Sequence, residues 1–131
     1  MSETYKFLKE CGVFFVTTVN AGKPAVRPFG AVMEYGGELY FCTSNTKDVY
    51  KEIKINSNVQ IAAIKSGTKE WIRISGSAEE IYGREFKVLM FETCPVLNKI
   101  YASEDAENFA LFKLNDIKSL IYSDNGAKVS D

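Results

Sequence analysis

The chain has 131 residues, of which 46% are hydrophobic and 25% are charged, and its formal net charge is -1. These values predict one globular domain over residues 1–131 and count against a nucleic-acid-binding protein with a broad basic surface. Histidine is absent, which excludes Ser-His and Cys-His relays and histidine-based metal sites, so we predict no metal centre. If the protein is an enzyme, we expect a bound cofactor to supply the difficult chemistry.

The cysteines and the N-terminal segment indicate the compartment in which the protein works. Cys11, Cys42 and Cys94 are too far apart for a zinc motif, and their odd number does not suggest a disulfide framework, so we interpret them as reduced structural thiols. The segment "MSETYKFLKE" is too charged for a signal peptide, and no apolar run approaches the roughly 20 residues of a membrane helix. The sequence therefore predicts a cytoplasmic protein without a membrane partner.

The first third of the chain is predicted to contain one helix and three strands. Residues 3–10 have the apolar spacing of a short helix. Strands are predicted over 12–19, 25–35 and 38–43, where β-branched and aromatic residues are frequent. Within the second strand, Pro28 cannot donate to a ladder, and a glycine two residues later admits the close approach of another group.

The remaining elements complete a strand-rich pattern. From Thr46 onward the apolar period becomes helical, and this helix ends near Asn56. The later predicted elements are strands over 58–66 and 71–82, a helix over 83–93, a helical turn over 96–101, and closing strands over 107–116 and 117–123. This order predicts a mainly β fold in which about seven mostly antiparallel strands curl into a small barrel with short flanking helices.

The stretch "TSNTK" joins the third predicted strand to the second helix. Residues 43–46 offer hydroxyl and amide groups, and Lys47 adds a full positive charge. Because a helix N-terminus attracts anions, this junction predicts a phosphate site, to which Arg27 could bring a second cation. The alternative is helix capping by Asn45 or Thr46 with a solvated lysine. The residues alone leave both interpretations open.

Three segments carry a family resemblance when they are taken together. They are the strand with Arg27-Pro28, the junction Phe41-x-Thr43…Lys47 before a helix that ends at Asn56, and the strand Trp71-x-Arg73-x-x-Gly76. In this order and spacing the chain resembles the pyridoxamine 5′-phosphate oxidase-like flavoproteins, the FMN-binding split barrels. The resemblance covers roughly residues 5–125 and implies a split β-barrel of six to seven strands.

The resemblance further implies a homodimer with two flavin sites at the subunit interface. It implies that the FMN phosphate is bound by Arg27, Lys47, Thr43, Ser44 and Thr46. It implies that Pro28, Phe29 and Gly30 run along the flavin ring. Glu70, Trp71 and Arg73 would approach the same flavin from the other subunit. No catalytic residue is identified. Trp71 also has the simpler explanation of core or interface packing, and Arg73 that of pairing across the sheet. Strand alternation predicts that Cys42 points away from the site.

The resemblance has a limit at the C-terminal end. True pyridoxamine phosphate oxidases have a longer chain with a basic, histidine-containing segment, whereas this sequence ends "YSDNGAKVSD". The resemblance therefore does not imply oxidation of pyridoxamine phosphate. Relatives with the same barrel bind coenzyme F420 or haem, and FMN is favoured over both.

Three functions remain open from the sequence. The first is an FMN-dependent oxidoreductase that moves a hydride or electrons between a nicotinamide or organic donor and a small substrate. The second is a flavin-binding carrier or redox sensor without turnover, in which the segment 91–108 would only cap the barrel rather than form a substrate wall. The third is a barrel that binds nucleic acid through the aromatic residues Phe14, Phe15, Phe29 and Tyr40, against which the acidic net charge counts.

Overall fold

The computed structural model describes residues 1–131. Its helices are α1 (Glu3–Cys11), α2 (Asp48–Ile55) and α3 (Arg84–Thr93), and a 3₁₀ helix covers Pro95–Lys99. Its strands are β1 (Phe14–Asn20), β2 (Lys23–Phe29), β3 (Val32–Tyr35), β4 (Glu38–Ser44), β5 (Asn58–Ile64), β6 (Trp71–Ile81), β7 (Phe109–Ser123) and β8 (Gly126–Val129). None of the helices is both long and apolar enough to cross a membrane.

The strands form one antiparallel sheet that curls on itself. The strand order is β2-β1-β5-β6-β7-β4-β3, and β8 pairs with β7. Only Gly30 and Ala31 separate the two outer strands β2 and β3 in sequence, and three residue steps span at most about 11 Å. The outer strands therefore lie close together, yet no ladder joins them. The predicted mainly β, split-barrel fold is confirmed, with eight strands rather than six to seven.

We call the unpaired gap between the outer strands β2 and β3 the split. It lies where the sequence predicted one irregular strand over 25–35. Pro28 lies in β2, an outer strand of the sheet, where its missing N–H costs no ladder hydrogen bond. The strand then ends at Phe29, and the chain crosses to the other side of the split before β3 begins. The single predicted strand is therefore two strands at opposite ends of the sheet.

Near the end of the chain, two predicted strands prove to be one. The two predicted closing strands are one strand, β7, of 15 residues. Asp116 has a left-handed φ of 53°, so the chain does bend where "ND" suggested a turn. A register shift between Ser75 and Ser77 of β6 absorbs this bend, and pairing resumes at Lys118. The final strand β8 was not predicted.

Strand β4 is buried on both of its faces. Leu39 and Phe41 belong to the barrel core, whereas Tyr40 and Cys42 belong to a second apolar cluster outside the barrel. This second cluster packs α3 and the 3₁₀ helix against β4 through Met90, Phe91, Leu97 and Tyr101. Each large apolar side chain buried in this way stabilises the fold by about 1.5–3 kcal/mol. The packing fixes the 3₁₀ helix beside the split.

Candidate functional site

A cavity of about 390 Å³ lies at the split of the barrel, within the range of roughly 300–1,000 Å³ typical of small-molecule sites. Six of the predicted site residues line it together, namely Arg27, Pro28, Phe29, Gly30, Thr43 and Lys47. The rest of the wall is mainly apolar and comes from Ala31, β4, α2 and the segment 96–101. Depressions of about 600 and 650 Å³ occur elsewhere on the chain, but neither contains the two predicted anchoring cations.

The N-terminus of α2 opens at this cavity without a side-chain cap. Lys47 is the N-cap residue and makes no capping hydrogen bond with its side chain. Asn45 instead donates to the Glu107 carbonyl at 2.7 Å, and the Thr46 hydroxyl pairs with the Ser44 hydroxyl at 2.7 Å. The capping role considered for Asn45 or Thr46 is therefore wrong. The Tyr50 N–H donates to the Lys47 carbonyl at 3.2 Å, whereas the N–H groups of Asp48 and Val49 remain open to an anion at the helix end.

Two side chains at the cavity have no partner within the protein. Lys47 is exposed, and its ammonium takes part in no ion pair. Thr43 is 5% exposed, its hydroxyl makes no hydrogen bond in the structure, and it lines the cavity. No buried side-chain polar atom of the chain lacks a partner, so the unbonded Thr43 hydroxyl is open to the cavity and free to donate to a ligand there. The cation and the hydroxyl therefore offer an anion-binding pair.

Arg27 is engaged by a carboxylate. Its Nη2 donates to Glu52 Oε1 at 2.6 Å, and its Nη1 donates to the Thr18 hydroxyl at 2.7 Å. The Thr18 hydroxyl and the Arg27 guanidinium hold the pKa of Glu52 below its usual value, so the carboxylate stays ionised. Arg27 lies at the cavity as predicted, but its charge is neutralised there. The cavity thus contains one free cation, Lys47, and not the two that the sequence suggested.

Glu52 is a residue that the sequence reasoning missed. It lies on α2 between Val49 and Ile53, and all three side chains are buried. Its position three residues after Val49 places it on the inward face of the helix. This spacing is the feature of the sequence from which its burial could have been predicted. A glutamate on the apolar face of a short helix implies a buried partner, since an unpaired charge there would be costly.

Comparison with known proteins identifies the family. A protein-family model described as pyridoxamine 5′-phosphate oxidase matches residues 2–117 of the chain. The chain belongs to the pyridoxamine 5′-phosphate oxidase family. This confirms the resemblance seen in the sequence, and the match spans both the cavity residues and the β6 strand.

Solved structures share this fold at several levels of sequence identity. A NimC/NimA family protein from Clostridium acetobutylicum is 38% identical with a TM-score of 0.92, over 98% of this chain and 90% of that one. General stress protein 26 from Bacillus anthracis is 19% identical with a TM-score of 0.73, over 90% and 88%. The haem storage protein HutZ from Vibrio cholerae is 16% identical with a TM-score of 0.71, over 98% and 92%. A search of curated protein sequences finds no match.

Three of the residues that the family resemblance assigns to the flavin lie away from the cavity. Trp71 stacks on Tyr122 with ring centroids 4.2 Å apart, and Arg73 donates to the Tyr122 hydroxyl. Trp71 also lines an entirely apolar depression of about 480 Å³, while Glu70 borders a separate polar one. Within the single chain of this pyridoxamine 5′-phosphate oxidase family member, Glu70, Trp71 and Arg73 are therefore not brought together with Lys47.

Cys42 and Tyr101 also line the cavity. Strand alternation does place Cys42 in the second apolar cluster, but the cavity borders that cluster, so the prediction that Cys42 points away from the site is wrong. Burial raises the pKa of the Cys42 thiol to about 12, and burial likewise raises the pKa of Tyr101 to about 12. Both groups are therefore protonated at neutral pH.

The aromatic residues considered for nucleic-acid binding do not form a common surface. Phe14 is fully buried and Tyr40 is 4% exposed, so neither ring offers a face on which a base can stack. Phe29 is partly buried against Phe14 and Phe41. Of the four residues considered, only Phe15 presents a substantially exposed ring.

Proposed function

We propose that this member of the pyridoxamine 5′-phosphate oxidase family binds FMN in the cavity at the split and acts as an oxidoreductase. The donor would be a reduced nicotinamide or an organic compound, and the acceptor a small molecule. Bound FMN would supply the redox chemistry by accepting and releasing a hydride equivalent. The protein would supply phosphate anchorage, ring orientation and a mainly apolar wall.

The observation that carries this proposal is that one cavity contains both an anion site and a stretch of accessible backbone. Lys47, the uncapped first turn of α2 and the unpartnered Thr43 hydroxyl form the anion site. Beside it, the Pro28–Gly30 segment leaves open room, because a Cβ built on Gly30 would meet only the Gly12 carbonyl oxygen, at 4.0 Å. Such space next to a bare backbone suits a planar ring.

The donor chemistry favours FMN over haem, although a haem storage protein shares the fold. Haem iron in proteins is held by histidine, cysteine thiolate, methionine or tyrosine. The chain has no histidine, and the cavity offers only Cys42 and Tyr101, whose pKa values near 12 disfavour the anionic forms that bind iron. The cavity residues fit a phosphate-bearing flavin better than they fit an axially ligated iron.

We also propose that the functional unit is a homodimer with its flavin sites at the subunit interface. The apolar depression around Trp71 includes Val13, Phe15 and Ile64, which are 53%, 47% and 60% exposed. A cluster of large apolar residues left in solvent is typical of an interaction surface. The family resemblance implies that Glu70, Trp71 and Arg73 approach the partner's cavity in such a dimer. All three cysteines are free thiols, which suits the reducing cytoplasm that we propose as the location.

The first experiment is the visible spectrum of the purified protein, followed by titration with FMN, riboflavin and haemin. We expect a 1:1 complex with FMN per chain, weaker binding of riboflavin, and no specific haem complex. A protein that stays colourless and takes up no FMN would overturn the proposal, and specific binding of haemin in its place would assign the cavity to haem.

Turnover separates an enzyme from the alternative of a flavin carrier or redox sensor. The cavity has no carboxylate and no histidine among its lining residues, so no strong acid–base group stands ready for proton transfer, which is the observation that keeps the carrier alternative in play. Anaerobic mixing of the FMN-loaded protein with NADH or NADPH decides between them. Bleaching of the flavin within seconds supports the oxidoreductase, while a spectrum unchanged by both donors and by organic reductants supports the carrier.

A further inference from the structure

With FMN bound as proposed, the cavity has no free charged side chain left to pair with a substrate. Arg27 and Lys47 are the only charged lining residues. Arg27 is neutralised by Glu52 at 2.6 Å, and the proposed FMN phosphate would occupy Lys47. A substrate with its own phosphate would find no second free cation, and an ammonium would find no carboxylate. Burying either charge without a partner is strongly unfavourable.

The part of the cavity wall that comes from the segment 96–101 is mainly apolar. Val96 and Ile100, which belong to or directly follow the 3₁₀ helix, line the cavity while remaining 53% and 64% exposed. Leu97 lies between them and is buried in the second apolar cluster. Exposed apolar side chains that border a cavity favour an apolar ligand, because contact with it removes both surfaces from water.

One polar group on this wall has no partner. Tyr101 is only 8% exposed, its ring is held by edge contacts with Phe91 and Phe109, and its hydroxyl makes no hydrogen bond within the protein although it lines the cavity. Burial keeps its pKa near 12, so the hydroxyl is a neutral donor across the physiological pH range. Because the ring is held in place and the hydroxyl is open to the cavity without a protein partner, it favours a ligand that carries a hydrogen-bond acceptor.

We propose that the cavity accepts an uncharged, mainly apolar molecule with a hydrogen-bond acceptor such as a ketone or quinone carbonyl, to which Tyr101 donates. This inference rests on the proposed function, since it assigns Lys47 to the FMN phosphate. It excludes substrates of the pyridoxamine phosphate type, which carry both a phosphate and an amine.

The test uses four small probes of similar size on the FMN-loaded protein: acetophenone, ethylbenzene, benzoate and benzylammonium. Binding is followed by the change in flavin absorbance and by calorimetry. We expect acetophenone to bind at least about tenfold more tightly than either charged probe and about three- to tenfold more tightly than ethylbenzene, which lacks the acceptor. Benzoate or benzylammonium binding as well as acetophenone would overturn the proposal.

Two variants assign the effect to residues. Tyr101→Phe keeps the aromatic packing and should remove the preference for acetophenone over ethylbenzene, whereas the exposed Tyr35→Phe should not. Ile100→Lys should improve benzoate binding and weaken that of acetophenone, whereas the same substitution at Ile55, 88% exposed at the end of α2, should leave both unchanged. A preference that survives Tyr101→Phe contradicts the assigned donor.

The FMN stoichiometry measured before each titration separates the two levels of proposal. A chain that binds FMN at 1:1 but prefers a charged probe refutes the substrate class and leaves the flavin site intact. A chain that binds no FMN refutes the flavin site, and the substrate class that depends on it falls at the same time.

Discussion

Arg27 on β2 and Glu52 on α2 form an ion pair in which Nη2 lies 2.6 Å from Oε1. The side chains are 23% and 9% exposed, so the pair is shielded but not dry. It ties an outer strand of the split sheet to the helix whose N-terminus opens at the cavity. Because the Glu52 carboxylate neutralises the Arg27 guanidinium, the pair also determines the net positive charge near a bound phosphate. Its carboxylate should therefore act on both stability and affinity.

Glu52→Gln should separate these two effects. Loss of the carboxylate leaves Arg27 with an unmatched charge near the phosphate site, so FMN affinity should rise about fivefold, equivalent to about 1 kcal/mol at the effective dielectric of a protein surface. The free energy of unfolding should fall by about 1–3 kcal/mol, since a charge-assisted hydrogen bond is lost. Calorimetric FMN titration and urea unfolding measure the two quantities.

Glu80→Gln is the matched control for this substitution. Glu80 also accepts hydrogen bonds from several donors, Tyr50 and Lys54 among them, but it does not line the cavity. Its loss should lower stability without changing FMN affinity. Equal FMN affinities for the wild type and Glu52→Gln would show that the Arg27 charge does not reach the phosphate.

The same ion pair predicts how stability depends on pH. Hydrogen bonding from Thr18 and the charge of Arg27 lower the pKa of Glu52 below its usual 4.5 in the folded state. A carboxyl whose folded pKa is depressed stabilises the fold above its unfolded pKa, and this contribution is lost as the pH falls through the folded pKa. The free energy of unfolding should therefore decrease below about pH 4.5. Urea titrations from pH 3 to pH 7 should show a shallower decrease for Glu52→Gln than for the wild type.

The sequence was sufficient for the features that depend on local pattern. The alternation of Trp71 to Ile74 predicted β6, and the polar junction before Lys47 predicted the start of α2. The Arg27–Glu52 pair was not predictable in this way, because it joins residues 25 apart through a curled sheet. The lining role of Cys42 was missed because strand alternation assumes one solvent face, whereas β4 is buried on both faces.

Lys47→Gln tests the phosphate anchor. The substitution keeps the length of the side chain nearly unchanged but removes the only unpaired cation of the cavity. FMN affinity should fall at least about tenfold, because a hydrogen bond to a charged group contributes about 1.5–3 kcal/mol. Riboflavin lacks the phosphate, so its affinity should not change. Lys51→Gln on the exposed side of the same helix is the control and should affect neither ligand; equal losses for FMN and riboflavin would place the phosphate elsewhere.

Phe15→Glu tests the proposed dimer surface. Phe15 is 47% exposed and borders the apolar depression that contains Trp71. A carboxylate buried at this surface would have no partner of opposite charge among the residues of the depression, so the dimer dissociation constant should rise by at least about tenfold. Sedimentation velocity across a concentration series measures it. Ile55→Glu is the control at an exposed position outside the depression; an unchanged dimer in Phe15→Glu would move the interface to another surface.

Two glycine substitutions distinguish a residue that the fold requires from one that the ligand requires. A Cβ on Gly76 would lie 2.8 Å from the Asn115 backbone oxygen, where β7 crosses the bulge of β6. Gly76→Ala should therefore lower the free energy of unfolding by about 1–3 kcal/mol. A Cβ on Gly30 meets nothing closer than 4.0 Å, so Gly30→Ala should change stability by less than about 0.5 kcal/mol.

Ligand affinity should be lowered by Gly30→Ala and not by Gly76→Ala, which is the reverse of their order in stability. The methyl group of Gly30→Ala would project where the flavin ring is proposed to lie, and the affinities for FMN and riboflavin should fall together. This pattern differs from that of Lys47→Gln, which affects FMN alone, because one substitution acts on the ring and the other on the phosphate. If Gly30→Ala binds both ligands as tightly as the wild type, the Pro28–Gly30 segment does not contact the ring, and the orientation of the flavin in the cavity must be reversed.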